Sequence, residues 1–213
     1  SPSSPPPIAP NMARRRRTAV AWVVMALAFA VFLGVRWQTV AGSWYANLGA
    51  LEQARVELRG YDTLYFQIDI DQARQGADLR VAQRLLTRAK EIDPRNPTAR
   101  QRLASIDLSL GRYPEALAEM QAAWDGGHRD SVTRLLYGDA LVAAGQPERA
   151  AEVVRGLKWA EARLLGQAWS RYWEDKDYRR AADAWAAVSL INPDNKTAAE
   201  SRIEAEKRLG APQ

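Results

Sequence analysis

The sequence predicts an all-α protein, and three observations carry that prediction. Small residues recur at a 34-residue period, because Ala82, Ala116 and Ala150 are each separated by 34 positions. An apolar run without a charge occupies residues 18–35. No segment shows the sustained alternation of polar and β-branched residues that is typical of a strand. The period and the apolar run together indicate a hydrophobic helix followed by stacked helical hairpins.

Composition excludes several kinds of site. The 213 residues include no cysteine, which excludes disulfides, thiolate zinc sites and a cysteine nucleophile. The one histidine, His128, lies in a Gly-Gly-His-Arg-Asp turn and is more typical of a surface residue than of a metal ligand. Residues 1–36 hold five arginines and no acid, whereas residues 37–213 hold 25 basic and 25 acidic groups. Since this larger part is electrically balanced, we expect no nucleic-acid partner.

Residues 1–17 are predicted to be a disordered cytoplasmic arm. Its first ten residues, SPSSPPPIAP, contain five prolines and favour an extended, polyproline-like chain. Such a segment could be a ligand for an aromatic groove, but a flexible tail is the favoured interpretation.

Residues 18–36 are predicted to be a transmembrane helix. Eighteen residues cover about 27 Å, close to the ~30 Å hydrocarbon core of a bilayer. Four basic residues precede the run and one basic residue and an indole follow it: Arg14, Arg15, Arg16 and Arg17, then Arg36 and Trp37. The positive-inside rule therefore predicts a single-pass protein of the bacterial plasma (inner) membrane, with a cytoplasmic N-terminus and the rest on the external or periplasmic face.

This run also resembles two other kinds of segment, a cleaved signal peptide and a buried helix of a soluble core. A cleaved signal peptide has the same order of charges, and Val40-Ala41-Gly42-Ser43 offers small residues for a peptidase. The run exceeds the ~7–15 apolar residues of a signal peptide, which favours an uncleaved anchor. A buried helix of a soluble core does not explain the arginine cluster. Residues 37–62 are predicted to be a juxtamembrane helix that continues the span or docks on the repeats.

Beyond this helix, turn residues and aromatic residues repeat in register with the alanines. Gly111 and Gly145 are 34 residues apart, and Pro94 and Pro193 end similar segments, KEIDP and SLINP. The pattern comprises four units and a charged cap, at residues 63–96, 97–130, 131–161, 162–195 and 196–210. The residues that match this pattern are, for units one to four in order, Phe66, Ala82, Leu86, Ala89 and Pro94; Leu103, Ala104, Gly111, Tyr113, Ala116, Met120 and Ala123; Gly138, Gly145 and Ala150; and Tyr172, Tyr178, Ala181, Trp185 and Pro193.

In this pattern the chain resembles the tetratricopeptide repeat family. The resemblance implies an α-solenoid of about four helix-turn-helix repeats with a C-terminal capping helix. Some residues depart from the family pattern, since unit one has Asp69-Ile70 where Leu-Gly is expected, and unit three is three residues short. Thr98 with Gln101, and Thr197 with Glu200, are predicted to be capping boxes at helix starts.

The resemblance implies protein binding at a concave groove lined by the first helix of each unit. The candidate groove residues are Gln67, Asp71, Arg74, Gln101, Ser105, Leu135, Asp139, Val142, Ser170 and Trp173. Trp159, Trp169 and Trp173 cluster in the last third of the chain, where core packing is favoured over an exposed binding hot spot.

No phosphate loop, nucleophile elbow or metalloprotease motif is found, and no cofactor or enzymatic activity is expected. Asp69 and Asp71 point about 200° apart on a helix, which disfavours a shared metal ion. We therefore expect a non-catalytic scaffold whose partners are the lipid bilayer and other membrane or periplasmic proteins. One hypothesis is an accessory subunit of a plasma-membrane complex, for example respiratory or photosynthetic. The other is an assembly or envelope-biogenesis factor that binds clients transiently.

Overall fold

The computed structural model describes residues 12–59 and 70–210, and these residues are helical throughout apart from turns, which confirms the all-α prediction. The helices are α1 (Met12–Glu57), α2 (Ile70–Gln75), α3 (Arg80–Ile92), α4 (Pro97–Ser109), α5 (Tyr113–Asp125), α6 (Ser131–Ala143), α7 (Pro147–Val154), α8 (Ala160–Gly166), α9 (Tyr178–Ile191) and α10 (Lys196–Gly210). A π-helical segment, Gln167–Trp173, directly continues α8. The predicted arm up to residue 11 and the start of unit one lie outside the described residues.

Helix α1 is bent between Phe32 and Arg36, around Gly34, where an apolar segment gives way to a mixed one. Ala19–Phe32 and Arg36–Glu57 meet at 59°, and nothing lies within 4 Å of the Cβ position of Gly34. Glycine is a common site of helix kinks because it adds no side chain to stiffen the turn. In the part of the chain described, no single helix is long and apolar enough to cross a membrane; the two segments satisfy the length and composition requirements only together.

The second segment of α1 packs closely on α3 through a face of small residues. A Cβ atom on Gly42 would lie 2.6 Å from Cβ of Asp93, and one on Gly49 would lie 2.7 Å from Cγ of Leu86. Between these glycines, Ala46 is buried with Ala89 and Ala99. The part of residues 37–62 that the structure describes thus both continues α1 and packs on the repeats. Helix α1 lies beside α3, where the first helix of unit one was expected, and the described part of that first helix is the six-residue α2.

The remaining helices pack as antiparallel pairs in the order of the chain. Helix α4 packs on α5, α6 on α7, and α8 with its π-helical continuation on α9, which α10 then covers. The recurrent alanines Ala82, Ala116, Ala150 and Ala181 are all fully buried. Gly111 and Gly145 adopt left-handed conformations, with φ of 72° and 74°, and end α4 and α6 as the period predicts. The second, third and fourth pairs therefore share one register.

The two predicted capping boxes are wrong. Asn96 is the N-cap of α4, where its side-chain oxygen accepts a hydrogen bond of 2.9 Å from the amide of Ala99. Asn195 does the same for the amide of Ala198 at the start of α10. Asparagine is at least as good a cap as threonine, and Pro97 fits the first helical position after it. The N-caps therefore lie two residues before Thr98 and Thr197, and the helices begin at Pro97 and Lys196.

Candidate protein-interaction surface

Arg74, on α2, joins α1 to α4 instead of lying free in a groove. Its Nε atom donates to Oε1 of Glu57 on α1 at 2.6 Å, and Nη1 donates to Oγ of Ser109 on α4 at 3.0 Å. Nη1 also lies 3.3 Å from the carbonyl oxygen of Ser105, another candidate groove residue. The side chains of Arg74 and Glu57 are only 12% and 7% exposed. This pair is screened little by solvent. Together with the hydrogen bond to Ser109, it fixes α1 and α2 against the hairpin of α4 and α5.

The next contact along the stack links α4 to α6. Gln101 donates from Nε2 to Oγ1 of Thr133 at 2.7 Å and approaches the carboxylate of Asp130 at 3.3 Å. Asp130 is the N-cap of α6 and accepts hydrogen bonds from the amides of Val132 and Thr133, each 3.1 Å long. Burial opposes ionisation of Asp130, but the Thr133 hydroxyl and these amides stabilise its charged form, and the net effect lowers its pKa.

An ion pair between a buried carboxylate and a partly exposed guanidinium links α6 to α8. Oδ2 of Asp139 lies 2.7 Å from Nε and 2.6 Å from Nη2 of Arg163. The Asp139 side chain is 1% exposed, while that of Arg163 is 40% exposed. Removing the arginine would leave a buried carboxylate without its counter-ion, which is far more costly than losing a surface pair. Asp139 therefore acts in this structure as a link between repeat units.

The other predicted groove residues differ in what they can offer a partner. Ser170 is exposed, Leu135 and Trp173 are half-buried, and Val142 is fully buried in the core. Gln67 lies outside the described residues, and so does the side chain of Asp71. The structure brings Arg74 and Ser105 into direct contact and joins Gln101 and Asp139 to neighbouring units. Much of the polar character of the surface is thus used to connect the units.

An aromatic cluster forms where the π-helical segment packs on α9. The rings of Trp169 and Trp173 lie 4.9 and 5.5 Å from the ring of Trp185, which is fully buried, and all contacts are edge-on. The guanidinium of Arg208 on α10 covers Trp173 at 4.8 Å. Trp169 remains 40% exposed, so the cluster combines core packing with an accessible indole. Trp159, at the start of α8, is separate and 65% exposed.

Sequence reasoning missed the role of Arg208. Its position, in the last turn of a highly charged helix, gave no sign that its guanidinium would stack on rings of the preceding unit. The recurrence of aromatic residues at Trp173 and Tyr178 could have indicated such a site, since Arg is the cation that most often covers aromatic faces. Arg208 also lies 5.5 Å from the ring of Tyr178.

Among the residues described, no group of three or more metal-ligating side chains comes together. Nε2 of His128 lies 3.0 Å from the carbonyl oxygen of Arg95, which ties the turn after α5 to the turn before α4. The geometry is that of a helical repeat surface held by inter-unit contacts.

Comparison with known proteins identifies a tetratricopeptide repeat region at residues 69–132. This region contains α2 to α5 and the start of α6. It confirms the resemblance for that part of the chain and indicates a protein–protein interaction module; no catalytic domain was found. Neither the curated proteins nor the solved structures gave a match. The helix pairs that follow, up to α10, pack in a manner consistent with further repeats.

Proposed function

We propose that this chain is a non-catalytic scaffold, anchored in a bacterial plasma membrane, that binds other proteins through the first helices of its repeats. The observation that carries the proposal is the tetratricopeptide repeat at residues 69–132, followed by hairpins whose recurrent alanines share one buried register. Repeats of this kind create extended surfaces suited to protein partners. The accessible part of the predicted groove includes Ser170 and part of Trp173.

The membrane anchor is supported by exposure in the first segment of α1. Every large apolar side chain described between Ala19 and Phe32 is 56–68% exposed, on all sides of the helix. A helix that is apolar all round is stable only when lipid or protein covers it. The excess of arginine before residue 18 favours a cytoplasmic N-terminus and a repeat domain on the external or periplasmic face.

A permanent accessory subunit is the favoured form of this function. The packing of α1 on α3 and the Arg74–Glu57 pair leave a short, stiff connection between the anchor segment and the repeats. The anchor segment and the repeats can therefore bind the same membrane complex. A respiratory or photosynthetic complex is an example of such a partner. A transient assembly or envelope-biogenesis factor is the second candidate, favoured by the exposed indoles of Trp159 and Trp169.

Extraction of native membranes with a mild detergent, then size-exclusion chromatography and mass spectrometry, tests these candidates. We expect the full chain to elute in a stoichiometric complex. Ser170→Arg, on the first-helix surface, should release the chain from it, whereas Thr87→Arg, at an exposed site on α3, should not. Elution as a free monomer would support the transient factor, and equal behaviour of both variants would exclude this surface.

The topology is tested separately by protease treatment of sealed spheroplasts. We expect residues 37–213 to be digested and the N-terminal arm to be protected. Protection of the repeats in sealed spheroplasts, with digestion after lysis, would reverse the proposed orientation.

A further inference from the structure

The second segment of α1 has two faces of opposite character. Its small residues, Gly42, Ala46 and Gly49, contact α3. On the opposite side lies what we call the outer stripe: Trp37, Val40, Trp44, Leu48 and Leu51. Their spacing of three and four residues places them on one face of a helix.

The outer stripe has no cover within the described part of the molecule. Trp37 and Val40 are 53% and 59% exposed, Trp44 is 66% exposed, and Leu51 is 59% exposed. No charged residue occurs between Trp37 and Leu51. The first charge on the stripe side is Arg55, whose guanidinium pairs with Glu52 at 3.0 Å. A continuous apolar face of this kind marks an interaction surface and not an ordinary solvated helix.

We propose that the outer stripe lies in the headgroup–acyl boundary of the lipid bilayer, so that α1 from Trp37 to Leu51 runs obliquely through the membrane interface. The proposal rests on the membrane anchor proposed above and extends it to a second mode of lipid contact. Apolar faces of interfacial helices bury about 5–10 Å into this boundary. The repeats are then held on the bilayer through the opposite face of the same helix.

Continuity and geometry favour lipid over a protein partner. The stripe begins five residues after Phe32, the end of the exposed apolar segment, so one lipid phase can cover both. With the first segment upright, the 59° bend leaves the second inclined by about 31° to the membrane plane, within reach of the interface. The indoles of Trp37 and Trp44, two turns apart, suit the headgroup zone because they combine an apolar ring with an N–H donor.

A second copy of the chain fits the stripe less well. A parallel pair would juxtapose the bulky indoles of Trp37 and Trp44 and would draw in Asn47, which shares this side of the helix. Two-stranded coiled coils prefer Ile, Val and Leu at such positions. This occupant is therefore an outcome that the experiment must be able to detect.

The absence of natural cysteine allows a direct measurement on the full-length protein. Single variants Leu51→Cys, Met25→Cys and Leu190→Cys carry a nitroxide label in vesicles of phosphatidylethanolamine and phosphatidylglycerol. Leu51 is on the stripe, Met25 is in the first segment, and Leu190 is 42% exposed on α9. Paramagnetic relaxation by oxygen, which concentrates in lipid, and by a nickel chelate, which stays in water, then reports the surroundings of each label.

We expect the oxygen-to-nickel accessibility ratio of the Leu51 label to be several-fold above that of the Leu190 label and below that of the Met25 label. A water-like ratio at Leu51 with a lipid-like ratio at Met25 would overturn the interfacial helix and leave the anchor intact. Water-like ratios at both positions would overturn the anchor as well. Spin–spin broadening at Leu51 that disappears on dilution with unlabelled protein would show that a second copy covers the stripe.

Discussion

Ala116 occupies a fully buried position in α5. It is fully buried against the main core, whereas Ala118, two residues along the same helix, is exposed. We expect Ala116→Leu to cost about 1–3 kcal/mol of unfolding free energy through overpacking. Ala118→Leu should change it by less than about 0.5 kcal/mol. Thermal unfolding of the full chain in detergent, followed by circular dichroism, measures both; equal tolerance would mean that the 34-residue register is wrong.

Asp130 makes the stability of the stack depend on acid pH. Its pKa lies below the ordinary value of 3.8 in the folded chain, so its contribution is fully present above that value and is lost as the pH falls through the lower, folded pKa. Asp130→Ala should cost about 1 kcal/mol at pH 7, because the N-cap of α6 is lost. The difference from the unmodified chain should shrink as the pH falls below 3.8.

Urea unfolding at pH 7 and at stepwise lower pH provides this measurement. Asp130→Asn is the matched control, since asparagine also caps helices but does not titrate. A cost for Asp130→Ala that stays constant with pH would contradict the ionic part of the cap.

At the scale of helices, the contact of α1 with α3 is tested at Gly49. A methyl group there would approach Cγ of the fully buried Leu86, which cannot move aside. We expect Gly49→Ala to destabilise the protein by about 1–3 kcal/mol, more than the ~1 kcal/mol that alanine gains in helix propensity. Gly166→Ala is the control, because nothing lies within 4 Å of its Cβ position and only the propensity gain remains. Stabilisation by both substitutions would show that α1 does not pack on α3 in solution.

The sequence predicted those helices whose limits depend on local signals. Ala116 and Ala150 mark the closely packed faces of α5 and α7, and Gly111 and Gly145 end the helices before them. The caps were misassigned because Asn96 and Thr98 are both good capping residues, and the choice depends on backbone geometry around Pro97. The π-helical segment after α8 was not foreseen, since a change in hydrogen-bond register leaves no mark in hydrophobic periodicity.

The candidate surface was only partly predictable, for a different reason. Spacing places Gln101 and Asp139 on the first helices, but it does not reveal that Thr133 and Arg163 already occupy their polar groups. Such contacts join residues 32 and 24 positions apart on neighbouring units and form only when the units stack. Only the exposure of each side chain in the folded chain distinguishes these residues from those such as Ser170, which remain exposed.

For the whole molecule, the structure predicts that the docked part of α1 stabilises the first unit. Removing residues 1–35 leaves this contact in place, whereas removing residues 1–59 uncovers Leu86 and Ala89. We expect only the longer deletion to abolish slow amide exchange in α3, while α6 and α9 remain protected, because a repeat stack opens locally from an uncovered end. Hydrogen exchange with mass spectrometry measures this, and unchanged protection of α3 after the longer deletion would contradict it.

The same contact has a consequence for the order in which the chain folds. Gly42 meets Asp93 across 51 positions of sequence, whereas α4 and α5 are joined by a turn of three residues. Contacts between distant residues form late, because closing a long loop costs conformational entropy before the free energy of the contact can offset it. During synthesis α1 is made before α3, so this contact between them cannot form until α3 has emerged. The small-residue face is therefore uncovered for a time in every newly made chain, and this interval ends when α3 packs on it.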